Sequence, residues 1–147
     1  MLKKILIEPD PILRKKSETI KNVDDDLRNL MSDMLETMYH APGIGLAAVQ
    51  IGILKRIVVI DISKDKEKKD PLFLVNPTIV HKSKKTSTYE EGCLSVPNQF
   101  AEIERPAECN LEYVDFNGNK KELKATGLLA TCIQHEVDHL NGILFID

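Results

Sequence analysis

Apolar positions along the chain follow two different periods. Over residues 24–40, Leu27, Leu30, Met31, Met34, Leu35 and Met38 recur at helical spacing, which predicts an amphipathic helix with its methionines in the core. Asp24, Asp25 and Asp26 open that segment, where the positive end of the helix dipole favours acids, and Ala41-Pro42-Gly43 closes it. The small residues of segment 43–50 (GIGLAAVQ) read as a loop entering a strand, a place where backbone can be approached closely. Residues 56–62 (RIVVIDI) and 72–80 (LFLVNPTIV) are rich in β-branched residues and are expected as strands, the second interrupted at Asn76-Pro77. The charged run 64–70 between them reads as a solvated loop, and 81–88 as a polar stretch. Strand-like segments at 109–116 and 121–123 flank Asn117-Gly118, a strong hairpin signal. A last helix is predicted from Thr126 as N-cap to Leu140, stopped by Asn141-Gly142, with 143–147 as a strand packed beside it. Separated helices without regular βαβ alternation indicate an α+β fold with antiparallel or mixed sheets around a central buried helix.

Composition narrows this picture. A chain of 147 residues, 42% hydrophobic, is the size of one domain able to bury its own core. With 20 basic and 23 acidic residues there is no basic stripe for nucleic acid. The start of the chain is neither a signal nor a transit peptide, and no run reaches membrane-spanning length. Three cysteines, Cys93, Cys109 and Cys132, are odd in number and widely spaced, which fits a reducing cytoplasm better than a disulfide framework.

The chemistry is concentrated near the end of the chain. His135-Glu136-Val137-Asp138-His139 is the H-E-x-x-H spacing, which puts two imidazoles on one helix face, able to share a metal, with a carboxylate beside them. The preceding segment 127–133 is apolar nearly all round, so the helix is buried and its His and Glu side chains need partners. A third ligand is required. A thermolysin-like Glu from a later helix is excluded, because Asp147 is the sole acid after His139. A metzincin ligand is excluded as well, because Phe145 stands at its position. The ligand must come from upstream, where Cys93 stands out in a tight segment between Gly92 and Leu94. Cys109 reads as an ordinary strand residue, Cys132 as core or pocket wall, and His40 and His81 as surface residues. Two rival readings are a metallopeptidase cutting internal amide bonds and a structural metal site, the latter lacking a fourth protein ligand.

Three motifs in this order, Gly43-Ile44-Gly45-Leu46-Ala47-Ala48-Val49-Gln50, Glu91-Gly92-Cys93-Leu94-Ser95 and Gln134-His135-Glu136-Val137-Asp138-His139, resemble those of the peptide deformylases. The resemblance extends to Pro11-Ile12-Leu13-Arg14, Glu36-Thr37-Met38-Tyr39 and Asn76-Pro77. It implies a single catalytic domain over residues 1–147 that removes the formyl group from N-formylmethionyl peptides of newly made proteins. It further implies Cys93, His135 and His139 as ligands to one metal, Fe(II) with Zn(II) or Ni(II) as replacements, Glu136 as proton carrier, and Gln50 with the Leu94 backbone N–H facing the oxyanion. The peptide would pair with Gly43, Ile44, Gly45 and the strand leading to Glu91, and its methionine would enter a pocket walled by Ile44, Tyr89, Leu128 and Cys132. Two departures stand out. Phe100 replaces an arginine common in the family, and the C-terminal helix that members carry beyond Asp147, with any ribosome contact it makes, is not in this chain.

Overall fold

The computed structural model describes residues 1–63 and 67–147, so the charged run at 64–70 lies partly outside the described residues. Among the described residues, two α-helices, α1 (Asp25–His40) and α2 (Gly127–Leu140), accompany seven strands. These are β1 (Gly45–Ala47), β2 (Ile57–Ile60), β3 (Leu72–Lys82), β4 (Thr86–Cys93), β5 (Val96–Pro106), β6 (Glu108–Val114) and β7 (Lys120–Thr126). An antiparallel sheet has the order β1-β2-β3-β6-β7, and β4 and β5 form a separate antiparallel pair.

The layering follows from β2, whose four residues are all buried. Neighbouring side chains leave a strand on opposite faces. Ile57 and Val59 join Leu27, Met31, Met34 and Met38 of α1, whereas Val58 and Ile60 join Ala130 and Ile133 of α2. Each face of the sheet is therefore covered by one helix. α1 starts as its pattern requires, with the Asp24 carboxylate accepting from the Leu27 N–H and Asp25 and Asp26 in the first turn. α2 has β4 and β5 on its other side, where Val96, Leu144 and Phe145 pack with Cys93, Ala101 and Ile103. It is thus the central, buried helix, with every residue from Ala130 to Glu136 buried along nearly two turns.

Several local expectations change. The Asn76-Pro77 pair does not break β3. It makes a bulge, with Asn76 at φ 50 and its amide holding both the N–H and the carbonyl of Ile20. The polar stretch 81–88 belongs largely to β3 and β4, and β5, not among the strands expected from the sequence, runs for 11 residues. Segment 143–147 is a turn and not a strand, closed by the Leu144 N–H on Asp147, whose carboxylate also pairs with Arg14. Thr126 occupies the N-cap of α2, but its side chain caps nothing.

Candidate metal centre and substrate cleft

α2 presents His135 and His139 one turn apart, and the end of β4 brings Cys93 against them. The two Nε2 atoms are 3.2 Å apart and Cys93 Sγ is 3.3 Å from His139 Nε2. All three ligand atoms lie within 4.8 Å of one another. Two imidazoles and a thiol converging on one point can share few protons, whereas a cation satisfies all three at once. Tetrahedral ligands at ordinary Zn–N and Zn–S bond lengths sit about 3.3–3.6 Å apart, so the donor set fits a metal of that size. Burial, then the charges of His135 and Arg105, hold His139 well below the ordinary imidazole range, so it stays neutral as a ligand must. Burial disfavours charge on His135, but its hydrogen bonds with Cys93 and Glu91 outweigh that and raise its proton affinity.

The sequence placed Glu91 beside the peptide. The structure puts it at the cleft wall, but engages its carboxylate elsewhere: Oε1 meets His135 Nδ1 at 2.9 Å, and both oxygens take a two-pronged contact from Arg105 at 2.7 and 3.0 Å. This fixes the imidazole with Nε2 facing Cys93 and His139. Arg105 also reaches Asp138 at 2.9 Å, tying β5 to α2. Neither Arg105 nor Asp138 was singled out from sequence. Arg105 gave no signal because β5 itself gave none; a buried imidazole's need for an acceptor on its second nitrogen was the one available clue to the Glu91 role.

Glu136 is buried at the cleft wall, and among the described residues its Oε1 has no hydrogen-bond partner, His139 Nε2 lying 4.0 Å away. Burial lifts its carboxyl to about 7, an effect tempered by the charges of His135 and Arg105. Gly45 is required at this point, since a Cβ there would run into Glu136 Oε2 and lie 3.0 Å from Cys132 Sγ. Gln50 sits at the third position of a 3-10 turn (Ala48–Ile51), not at a strand start. Its Oε1 accepts from the Ala47 N–H at 2.9 Å, as a capping glutamine does. Nε2 is thereby aimed at Ser95 Oγ, 3.1 Å away, and Cys93 Sγ, 3.5 Å away.

These groups line a cleft of about 490 Å³. Every residue expected there from sequence borders it except His139, which lies behind His135: Gly43, Ile44, Gly45, Gln50, Tyr89, Glu91, Cys93, Leu94, Leu128, Cys132, His135 and Glu136. Thr131, Pro97, Asn98 and Phe100 line it too. Cys109 is buried in the sheet, away from it.

Known proteins resemble this chain over nearly its whole length. The family described as polypeptide deformylase matches residues 2–147. The peptide deformylase of Pelagibacter ubique is 65% identical over 99% of this chain, which spans 85% of that relative's length, and that of Rhizobium meliloti is 56% identical over 99% of the chain and 84% of the relative. Among solved structures, peptide deformylase from Ehrlichia chaffeensis superposes with a TM-score of 0.95 at 42% identity, covering 99% of this chain and 87% of that one. A Met-Ala-Ser-bound peptide deformylase from Acinetobacter baumannii gives a TM-score of 0.94 at 30% identity, covering 99% of this chain and 97% of that one. With the motifs, the helix-borne histidines and the whole-length likeness in agreement, the chain belongs to the polypeptide deformylase family.

Proposed function

We propose that this chain carries out metal-dependent deformylation of N-formylmethionyl peptides through Cys93, His135 and His139 as ligands, Glu136 as proton carrier, and Gln50 with the Leu94 backbone N–H at the oxyanion. The observation that carries the reading is the convergence of one sulfur and two imidazole nitrogens, 3.2 and 3.3 Å apart, beside the buried Glu136 carboxylate, whose Oε1 makes no hydrogen bond among the described residues. Bound there, a divalent metal supplies Lewis acidity and brings the pKa of water down to about 7. Iron(II) is the metal we assign, with nickel and zinc as replacements that the same thiolate and imidazole donors accommodate.

The residues divide the remaining work. Glu136, with a carboxyl poised near neutrality, takes the proton of the attacking water and hands it to the leaving amine. The Gln50 amide, held by Ala47 and Ser95, points an N–H donor where negative charge gathers on the formyl oxygen. Leu94, in the turn between Cys93 and Val96, offers its backbone N–H from the other side. β1 pairs only with β2 and so presents a free edge along the cleft, against which an extended peptide can add as a strand. Met-Ala-Ser, the peptide in the Acinetobacter baumannii relative, is what formyl-Met-Ala-Ser becomes on losing its formyl group. Nascent formylmethionyl chains are the partners this implies, and no described helix is long and apolar enough to cross a membrane.

The test is formate release from formyl-Met-Ala-Ser beside cleavage of an unformylated longer peptide. Formate from the first and no cleavage of the second is the expected outcome. Hydrolysis of internal bonds alone would make the chain a metallopeptidase.

A further inference from the structure

Phe100 of β5 is 68% exposed although it lines the cleft, and Ile44, which lines the same cleft from the segment just before β1, is 45% exposed. Large apolar side chains left open at a substrate cleft on two separate elements call for an apolar guest. Phe100 is not a loose surface residue. Pairing of β4 with β5 passes from Glu91↔Ala101 to Cys93↔Val96, so residues 97–100 bulge out opposite the single residue Gly92. The ring lies over that glycine, where a Cβ would come within 2.7 Å of Phe100 Cε1. An aromatic face is therefore held next to the ligand Cys93, at the mouth of the cleft.

We infer that Phe100 and Ile44 form an apolar clamp for the side chain of the third residue of the substrate, giving this enzyme a preference for formyl-Met-X-aromatic or formyl-Met-X-aliphatic peptides. The inference rests on the deformylase reading above. In an extended peptide the first and third side chains share a face, about 7 Å apart, while the second points away. With the methionine in the cleft interior, the third side chain emerges on the same side, over the lips. The competing feature at the rim is charge: Glu90 also lines the cleft and would favour a lysine there.

The test measures kcat and KM for formyl-Met-Ala-X peptides, X being Ser, Leu, Phe or Lys, on the nickel-loaded full chain, with Phe100→Ala and Phe100→Leu beside it. The expected result is kcat/KM about five- to tenfold higher for Leu and Phe than for Ser, carried by KM. Phe100→Ala should abolish that ratio and Phe100→Leu restore most of it. Affinity for the products Met-Ala-Phe and Met-Ala-Ser, measured by calorimetry, should show the same ratio without turnover. Equal rates for all four peptides, a lead for Lys, or a ratio that survives Phe100→Ala would each overturn the clamp while leaving deformylation standing. Absence of formate from every peptide would instead remove the deformylase reading, and the clamp with it.

Discussion

Two imidazole nitrogens 3.2 Å apart in a buried site need a common partner, and the groups behind them decide how firmly that partner is held. The Glu91 carboxylate has contacts that the sequence did not point to. Its contacts with His135 and Arg105 predict that Glu91→Ala weakens metal binding about 10- to 100-fold, since the imidazole loses its orienting acceptor. A metal titration decides this, because a residue that served only the peptide would raise KM and leave metal affinity alone. Glu136 predicts the opposite pattern. It is not one of the three proposed ligands, so Glu136→Gln should keep its metal and lose at least about a hundredfold in kcat; undiminished turnover would remove Glu136 from the mechanism.

At the scale of elements, the methionine face of α1 supplies much of the core on one side of the sheet. Met34 is fully buried, so Met34→Ala should cost about 2–5 kcal/mol of stability, read from denaturant unfolding, while the metal site on the opposite face keeps its ligands. Beyond the end of β2, Asp61 joins three segments. Its carboxylate accepts from the Tyr39 hydroxyl of α1 and from the backbone of Ser63 and Asp70, and its own N–H binds the Ile44 carbonyl at the cleft lip. Burial raises the Asp61 carboxyl, but the hydrogen bonds from Ser63, Tyr39 and Asp70 outweigh it and leave its pKa below the ordinary value of 3.8. A group with a lowered folded pKa stabilises the fold above the unfolded value and loses that contribution as pH falls through the folded one. Asp61→Asn should therefore flatten the decline of stability below about pH 4, measured by urea midpoints across that range; an unchanged slope would show that Asp61 contributes nothing to it.

These elements also show what a sequence can carry. α1 and the catalytic helix were legible because a 3.6-residue period and paired histidines are local signals, and β2 because buried strands are rich in Ile and Val. β5 was not legible. Its first half, with Asn98, Gln99 and Phe100, is exposed, and the alternation of half-buried Ala101 and Ile103 with exposed Glu102 and Glu104 is too short to stand out as a strand of 11 residues. Segment 143–147 misled for the converse reason: Leu144 and Phe145 are buried by packing on β5 and α2, which imitates a strand pattern in a turn. The three residues proposed as ligands were picked out by spacing and elimination, but the supporting Arg105 depends on pairing between β4 and β5, a contact between residues 14 apart that no local pattern encodes.

Across the whole molecule, the site draws on parts far apart in the chain: β1 and the 3-10 turn after it, the turn between β4 and β5, and α2. None of these works alone, since Gly45 of β1 must approach Glu136 of α2, and Cys93 of β4 must approach His139. The measurement that bears most directly on this assembly is formate released from formyl-Met-Ala-Ser as Ni(II) is added stepwise to the metal-free chain, with Cys93→Ala in parallel. Turnover should rise linearly and break at one metal per chain, and the variant should show no such break at the same concentrations because two histidines alone leave the site underfilled. A break at another stoichiometry, or an unchanged titration in Cys93→Ala, would contradict the assignment of Cys93, His135 and His139 as one metal centre.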